Sequence, residues 1–369
     1  MPAPDLTDEA QPLRHKLVQT LVDSRRLTDP TWRRAFERVP RHLFMPSFYD
    51  QAGKVISSTD PDTHEQWLAA VYSDRSLVTH RTDGAATSSS SEPSLMARML
   101  EALDLADKMT VLEIGTGTGY NAALLADRLG DGNVVSIDVT PDITTPARGR
   151  LTAAKYAPLV VTGDGALGWP NRGPYDRILA TCGIHAVPQA WIEQLTDDGF
   201  ILAPLGGALV RIERTGPGTA TGRFLLGGAY FMPLRREAGD GVPAQRPSLP
   251  NDKRHASVLP ASALTDPGYR FIAEIALPHL VWQYDLGDNG TISAARVWAS
   301  DGSIADLHAD GTVAQAGPRQ LWDLLELAYQ SYAASDRPAP DCYGLTVTPD
   351  QQYVWLDAPD SGQRWNLST

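Results

Sequence analysis

Apolar and polar positions follow two alternating patterns along the first two thirds of the chain. Helical spacing of apolar residues predicts helices over residues 8–38, 93–103 and 121–129. Short apolar runs predict buried strands over residues 110–114, 133–138, 159–161, 175–180 and 200–203. Strands that alternate with helices are typical of βαβ units and a parallel sheet. Two further strand patterns, over 208–212 and 223–231, have no helix between them. We therefore expect a doubly wound, Rossmann-like α/β sheet with an antiparallel finish.

The last third of the chain has a pattern of its own. Strands are expected over residues 269–276, 281–284, 291–299, 303–307, 344–347 and 353–356, and a helix over residues 319–332. Residues 237–250 are rich in Pro and Gly and show no apolar period, which predicts a linker. We therefore expect one domain over residues 1–236 with a helical N-terminal segment, a linker over 237–250, and a smaller accessory α+β domain over 251–369.

Composition and charge exclude several classes of function. The chain has 369 residues and a net charge of −12, and residues 237–369 alone carry 17 acidic and 8 basic side chains. Such acidity argues against non-specific binding to nucleic acid or to anionic membranes, so neither partner is expected. No run of about 18 apolar residues and no apolar leader are present, which predicts a cytoplasmic protein. Two cysteines and histidines without ligand spacing predict no metal.

The strongest chemical signal is a glycine-rich stretch that follows an apolar strand and precedes a helix. Gly115, Gly117 and Gly119 alternate with threonines, of which Thr116 is the first. Glycine lets the backbone turn sharply and approach a ligand, and this spacing differs from the nicotinamide fingerprint G-x-G-x-x-G. Glu113 precedes the glycines, and its carboxylate suits the cationic S-adenosylmethionine better than an anionic pyrophosphate. A dinucleotide site and a glycine-rich turn without a ligand are the alternatives.

Two aspartates follow the next strands in the same register. Asp138, followed by Val139, ends a strand about 20 residues beyond the glycines, where an acidic residue can accept from ribose hydroxyls. Asp164, followed by Gly165, comes after the third strand, where a carboxylate can accept from an adenine amino group. Ligands of such sheets bind at the carboxyl ends of the strands, so these residues are predicted to bind the cofactor. Each aspartate alone could instead stabilise a turn or cap a helix.

Several ordered motifs together resemble the protein-L-isoaspartate O-methyltransferase family. The motifs that carry the resemblance lie over residues 38–46 (RVPRHLFMP), 111–126 (VLEIGTGTGYNAALLA), 163–170, 174–178, 187–191, 194–199 and 231–234. They span about residues 10–236. The resemblance implies a class I methyltransferase fold, S-adenosylmethionine as cofactor with S-adenosylhomocysteine as product, and no metal. It also implies a peptide or protein substrate that carries an aspartyl or isoaspartyl carboxylate.

The family's active-site motif, approximately T-I-S-Q-P, is matched here by the residues SSSEP at 89–93. In this register Ser91 takes the place of the active-site hydroxyl, and Ser89 and Ser90 are predicted to contact the substrate. Cys182 and His185, which follow the fourth strand, are further candidates for substrate contacts. The alternatives are a buried residue at the strand end for Cys182 and a loop histidine for His185. A carboxylate is ionised at pH 7 and needs no base, so a hydroxyl that holds one oxygen is sufficient. A serine-rich loop that caps the following helix is the alternative for Ser91.

The tail distinguishes this chain from family members that end near residue 236. It is similar to the tails of members that accompany ATP-grasp ligases in the biosynthesis of ribosomally made, crosslinked peptides (graspetides), through residues 319–323, 343–348 and 354–357. That resemblance implies methylation of an ordinary aspartate in a crosslinked peptide, closure of the ester to an aspartimide, and substrate-peptide recognition by the tail. The alternatives are repair of isoaspartyl residues in damaged proteins, a peptide-binding module with a vestigial methyltransferase core, and a tail that is only structural.

Overall fold

The structure is a computed structural model that describes residues 7–82, 84–236, 245–249, 253–287 and 290–367. The helices are α1 (Thr7–Asp23), α2 (Pro30–Arg38), α3 (Arg41–Phe44), α4 (His64–Val71), α5 (Pro93–Ala102), α6 (Tyr120–Leu129), α7 (Pro141–Ala153), α8 (Gln189–Glu193), α9 (Pro267–Ala276) and α10 (Leu321–Ala334). Of the predicted linker, residues 245–249 contain neither helix nor strand, and the rest lies outside the described residues.

The strands form three sheets. In chain order they are β1 (Ser47–Tyr49), β2 (Val55–Ser57), β3 (Leu77–Thr82), β4 (Ala85–Ser90), β5 (Val111–Ile114), β6 (Val134–Asp138), β7 (Leu159–Thr162), β8 (Tyr175–Ala180), β9 (Leu195–Leu205), β10 (Ala208–Gly216), β11 (Thr219–Gly228), β12 (Arg254–Ala256), β13 (Val281–Leu286), β14 (Ile292–Trp298), β15 (Ile304–Leu307), β16 (Thr312–Ala316), β17 (Tyr343–Val347), β18 (Gln352–Leu356) and β19 (Arg364–Asn366).

The central sheet has the strand order β19-β18-β17-β11-β10-β9-β8-β5-β6-β7. Strands β5 to β9 pair in parallel, whereas β10 and β11 pair antiparallel to their neighbours. Successive residues of β5 point to opposite faces, as a pleated strand requires. Val111 therefore packs among the N-terminal helices, while Leu112 and Ile114 pack on the other side with α8. The predicted α/β sheet with an antiparallel finish is confirmed.

The tail extends the central sheet as well as forming a sheet of its own. Strand β17 pairs antiparallel with β11, as in the register of Gly222 with Leu345, and β18 and β19 continue outward from it. The remaining tail strands form a five-stranded sheet in the order β12-β16-β15-β14-β13. Side chains of the central sheet and of the tail belong to one buried cluster, which includes Ile201, Phe271, Trp322 and Val354. The predicted α+β tail is therefore present, but it shares a sheet and a core with the methyltransferase part.

One element of the tail was predicted wrongly. Residues 269–276, expected to be a strand, form most of helix α9. Asp266 caps this helix, since its carboxylate accepts from the backbone N–H groups of Gly268 and Tyr269, and Pro267 occupies the first turn. The aromatic and branched residues typical of strands pack here at helical spacing, with Phe271 and Ile275 four residues apart. The cap and the proline thus outweigh the local strand preference.

A four-stranded antiparallel sheet in the order β2-β1-β3-β4 precedes the central sheet. The apolar pattern did not predict it, because its strands are short or polar, as the sequence AATSSS of β4 illustrates. Strand β4 leads directly into the predicted active-site serine, so this sheet positions the site. Within the described part of the chain, no helix has the length and apolar character needed to span a bilayer. The cytoplasmic location stays a prediction.

We expect the Leu345→Ala substitution to destabilise the whole protein, including its cofactor-binding part. Leu345 is fully buried in β17, and truncation of such a side chain costs about 2–5 kcal/mol. Thermal unfolding followed by circular dichroism and by the loss of S-adenosylhomocysteine binding should give one transition at a lowered midpoint. The control is Leu327→Ala, since Leu327 is 62% exposed. A cofactor-binding part that unfolds at the wild-type temperature would contradict the shared core.

Candidate active site

A cavity of about 590 Å³ lies at the carboxyl ends of the central parallel strands. Its wall combines the serine segment, defined as residues 87–91, with the glycine loop, defined as residues 115–119. The ends of β6 and β8 and residues 227–235 complete the wall, with the start of α5. Ligands of open α/β sheets bind at this edge. The structure therefore brings the predicted cofactor loop and the predicted catalytic serine into one cavity.

The glycine loop has a backbone that only glycine adopts easily. Gly115, Gly117 and Gly119 have φ values of 101°, 51° and 89°. A Cβ atom on Gly115 would lie 2.6 Å from the Oγ1 atom of Thr181, whose hydroxyl donates to the Gly115 carbonyl at 2.7 Å. The first two glycines and Thr116 line the cavity, whereas Gly119 ends the loop behind it, against α7.

Asp138 holds the glycine loop in place and also lines the cavity. Its Oδ2 atom accepts from the N–H of Gly117 at 2.9 Å, and its Oδ1 atom accepts from the N–H of Val139 at 2.8 Å. Burial raises the pKa of Asp138, and the Gly117 hydrogen bond and the charge of Arg235 act in the opposite direction. A carboxylate oxygen can accept further hydrogen bonds, so the predicted contact with ribose hydroxyls fits this position. Val139 lines the cavity as well.

Glu113 is not placed as the sequence suggested. It is 0% exposed and does not line the cavity, because its carboxylate accepts from Asn121 Nδ2 at 2.6 Å and from Ser136 Oγ at 2.5 Å. Glu113 therefore has no direct place on the cavity wall, and its carboxylate contacts the wall residue Asn121 instead. Asn121 does line the cavity, and its Oδ1 atom is buried without a partner among the described residues.

Asp164 caps a turn in the structure, and its contact with the cofactor stays a prediction. Its carboxylate accepts from the N–H of Ala166 at 2.8 Å and so caps a short 3₁₀ turn, Gly165–Leu167. Asp164 itself is absent from the cavity wall, so the alternative of a capping aspartate describes its observed contact. Gly165 does line the cavity, and a Cβ atom there would lie 2.7 Å from the Ile114 side chain.

The serine segment is held against the cavity by a buried arginine. Ser91 lines the cavity, and its hydroxyl has no hydrogen-bond partner among the described residues. The carbonyl of Ser91 accepts from Arg41 Nη2 at 3.1 Å, and the Ser90 hydroxyl lies 3.3 Å from the same nitrogen. Ser89 also lines the cavity, and its carbonyl lies 3.6 Å from the Cβ position of Gly117. The segment thus lies directly over the glycine loop.

Arg41 was missed by the sequence analysis although it lies within the motif at 38–46. It is 1% exposed, and its Nη1 atom donates to the carbonyls of Val71 at 2.7 Å and Ser73 at 3.1 Å. Burial lowers its pKa to about 10, so it remains cationic at neutral pH. Its place within the motif at 38–46, between Pro40 and the apolar residues Leu43 and Phe44, was the signal that could have revealed this role. Arg98 and Arg235, which also line the cavity, gave no comparable signal.

Cys182 and His185, which both follow β8, line different cavities. Cys182 lines the cavity, and burial raises the pKa of its thiol. His185 lies instead in a second cavity of about 150 Å³, where its ring centroid is 3.7 Å from that of His279 in the tail. The expected substrate contact of His185 is therefore contradicted by its position. No group of three or more His, Cys, Asp or Glu side chains in the described ranges could hold a metal ion.

Comparisons with known proteins agree with this geometry. The family model for protein-L-isoaspartate(D-aspartate) O-methyltransferase matches residues 12–237. Protein-L-isoaspartate O-methyltransferase 2 of Archaeoglobus fulgidus is 32% identical over 240 residues, which cover 64% of this chain and 96% of that protein. The enzyme of Methanoculleus marisnigri is 33% identical over 239 residues, with 63% and 96% coverage. A solved protein-L-isoaspartate O-methyltransferase shares the fold, with a TM-score of 0.56 at 22% identity, over 94% of this chain and 100% of that one.

The fold and the cavity define a class I methyltransferase. The chain belongs to the protein-L-isoaspartate(D-aspartate) O-methyltransferase family, whose model matches more than half of its length. It is an S-adenosylmethionine-dependent carboxyl methyltransferase, which confirms the predicted enzyme class and cofactor. The family match ends at residue 237, so the likeness of the tail to the ligase-associated members stays a prediction.

The residues of the cavity fit S-adenosylmethionine. The cofactor carries an ammonium group, which needs acceptors, and the Asn121 Oδ1 atom is a buried acceptor without a partner in the described structure. The Glu113 carboxylate binds the amide nitrogen of Asn121 and so fixes which end of the amide is left free. Asp138 offers further acceptor positions on the same wall.

We expect Asn121→Ala to weaken cofactor binding because the free acceptor is lost. The loss of one hydrogen bond to a charged group predicts a rise in the dissociation constant of S-adenosylhomocysteine of roughly ten-fold. Isothermal titration calorimetry measures this value, with the exposed Asn171→Ala as the matched control. An unchanged dissociation constant would remove Asn121 from the cofactor site.

Glu113 should make stability depend on pH. Burial raises its pKa from 4.5 to about 7, so the folded protein keeps a proton that the unfolded chain releases between these values. The free energy of unfolding therefore falls as pH rises through this window. Relative to Glu113→Gln, the wild type should lose about 3 kcal/mol of stability from pH 4.5 to 7 and no more above it. Urea unfolding at a series of pH values tests this, and parallel curves for the two proteins would disprove it.

Proposed function

We propose that this protein transfers a methyl group to the carboxylate of an aspartyl or isoaspartyl residue within a polypeptide. The observation that carries the proposal is the position of Ser91, whose free hydroxyl lines the same cavity as the glycine loop. The cavity is about 590 Å³ in volume and open enough to admit a side chain together with the cofactor. Arginines on its wall suit an anionic substrate.

The residues of the site act mainly by alignment. Bound S-adenosylmethionine supplies an electrophilic methyl group on a cationic sulfur. The carboxylate is ionised at neutral pH, so no general base is required. Ser91 can donate its hydroxyl hydrogen to one carboxylate oxygen and leave the other free to react. Arg41 fixes the backbone of Ser91 and therefore the direction of that hydrogen bond. Alignment of two reactants can contribute roughly 7–11 kcal/mol to catalysis.

At a finer level, the proposed substrate is an ordinary aspartate in a crosslinked, ribosomally made peptide. Two features support this choice. Ser90 and Glu92 replace the apolar residue and the glutamine of the family motif beside Ser91, so the substrate side of the site is altered. The tail joins the central sheet at β11, whose end leads to the cavity wall, and is proposed to help recognise the peptide. The following backbone nitrogen would then displace methanol from the ester and close an aspartimide, without an assigned residue.

Repair of isoaspartyl residues is the second candidate function. Membership of the family favours it, since relatives that are 32–33% identical carry the name protein-L-isoaspartate O-methyltransferase. The two candidates share the cofactor, the serine and the product type. They differ in the carboxylate that is accepted, and therefore in the substrate that must be supplied in a test.

Two peptides distinguish the candidates. The full-length protein is incubated with S-adenosylmethionine and either an isoaspartyl peptide or a ring peptide closed between side chains that contains an ordinary aspartate. Mass spectrometry should show a gain of one methylene on the ring peptide, followed by a net loss of one water as the aspartimide forms. Methylation of the isoaspartyl peptide alone would support repair instead. Cofactor binding without methylation of either peptide would favour the vestigial core.

We expect Ser91→Ala to lower kcat while leaving the dissociation constant of S-adenosylhomocysteine within about two-fold of the wild-type value. The hydroxyl has no structural partner in the described residues, so its removal should not disturb the fold. Loss of one orienting hydrogen bond predicts a decrease in kcat of roughly 10²-fold. Methyl transfer at saturating cofactor measures the first quantity and calorimetry the second. Unchanged turnover would remove Ser91 from the catalytic machinery.

A further inference from the structure

Two arginines of the cavity wall have no acidic partner. Arg26 and Arg98 line the cavity, and neither is ion-paired within the described residues. Arg98 donates to the carbonyls of Gly228 at 2.5 Å and Leu226 at 3.4 Å, while its Nε–H is buried without a partner. Burial lowers the pKa of Arg98, and the nearby charge of Arg26 lowers it further. Two arginine side chains therefore line the same cavity, and one of them is partly withdrawn from water.

One carboxylate on the cavity wall uses an oxygen for a hydrogen bond at the start of α5. Glu92 also lines the cavity, but its Oε1 atom accepts from the Ser94 hydroxyl at 2.6 Å. Glu92 acts to raise the pKa of Arg98, but burial and the charge of Arg26 lower it, and the net shift of the pKa is downward. A cation pair without a counter-ion is costly, and an arginine fork binds a carboxylate in a bidentate manner. The arrangement is therefore complementary to an anion.

Helix α5 follows the serine segment and carries Arg98. Helix α5 begins at Pro93, two residues after Ser91, and Leu95 and Arg98 lie on its cavity side. Five residues of helix from Pro93 to Arg98 advance about 7.5 Å. An extended peptide covers about 3.3 Å per residue, so a peptide that runs along α5 from Ser91 would pass this length of helix in about two or three residues. Gly227, Gly228 and Tyr230 line the cavity beside Arg98, which donates to the Gly228 carbonyl.

We propose that Arg26 and Arg98 form an anion subsite that binds an acidic side chain of the polypeptide substrate, two or three residues away from the aspartyl carboxylate at Ser91. This inference rests on the proposed function and names a feature of its substrate. An acidic residue at that spacing satisfies both guanidinium groups and holds the peptide in register with the catalytic hydroxyl.

The test uses the full-length protein and the peptide that it methylates in the experiment above, in two forms. One form carries Glu at the second and third positions on both sides of the reacting residue, and the other carries Gln at those positions. The wild type should show a KM for the Glu form roughly ten-fold below that for the Gln form. Arg26→Gln should remove most of this preference while kcat and the dissociation constant of S-adenosylhomocysteine stay unchanged.

Variants and controls make each outcome decisive. Arg26 is exposed and makes no hydrogen bond through its side chain among the described residues, so Arg26→Gln carries the test even where Arg98→Gln fails to fold. Arg25→Gln is the matched control, since Arg25 is exposed and absent from the cavity wall, and it should keep the preference. Equal KM values for the two peptides in the wild type would overturn the proposal. So would a preference that persists in Arg26→Gln.

Measurement of cofactor binding distinguishes a substrate subsite from a site for the carboxylate of the cofactor. The carboxylate of S-adenosylmethionine is an anion too, and weaker binding of S-adenosylhomocysteine to Arg26→Gln would assign the arginines to the cofactor and overturn the proposal. Absence of methylation on both peptides by the wild type would contradict the proposed function itself. Methylation of both peptides with equal efficiency would contradict the subsite alone.

Discussion

The active site depends on one buried cation. The Arg41 side chain is shielded from solvent. Its guanidinium donates hydrogen bonds to backbone carbonyls at the end of α4 and in the serine segment. Withdrawing a guanidinium from water is costly, and the Nε–H of Arg41 is buried without a partner among the described residues. The carbonyls that its Nη1 and Nη2 atoms contact must therefore stay in place. The ring of Tyr120 lies 5.9 Å from the same guanidinium carbon, and Tyr120 directly follows the glycine loop. The serine segment and Tyr120, which follows the glycine loop, therefore contact the same guanidinium group of Arg41.

The sequence predicted well what depends on local pattern. The strand–glycine–helix unit and the antiparallel finish could be identified because apolar period and glycine spacing are local properties. The contact between Glu113 and Asn121 could not be predicted, because it depends on how strand β5 and helix α6 pack against each other after folding. Arg41 was missed for a related reason, since its partners lie 30–50 residues away in the chain.

Errors in the tail and around His185 have a second cause. An aspartate-capped proline turn outweighed the strand character of residues 269–276. His185 was expected near the substrate because it follows a strand that ends at the site, but its side chain lines the second cavity, beside His279. Residues that follow the same strand end can therefore face different cavities. A single sequence carries little signal for which cavity each of these residues lines.

Strand β11 has a neighbour on each side, β10 and β17, and its last residues accept hydrogen bonds from Arg98 at the cavity wall. The tail is consequently not an independent domain that could be exchanged as a unit. Grafting it onto a relative that ends at the equivalent of β11 would require an open edge of matching register, as well as apolar side chains to receive helix α9. Diversification of such enzymes through their tails would then proceed by gradual change of the shared sheet rather than by recombination of intact modules.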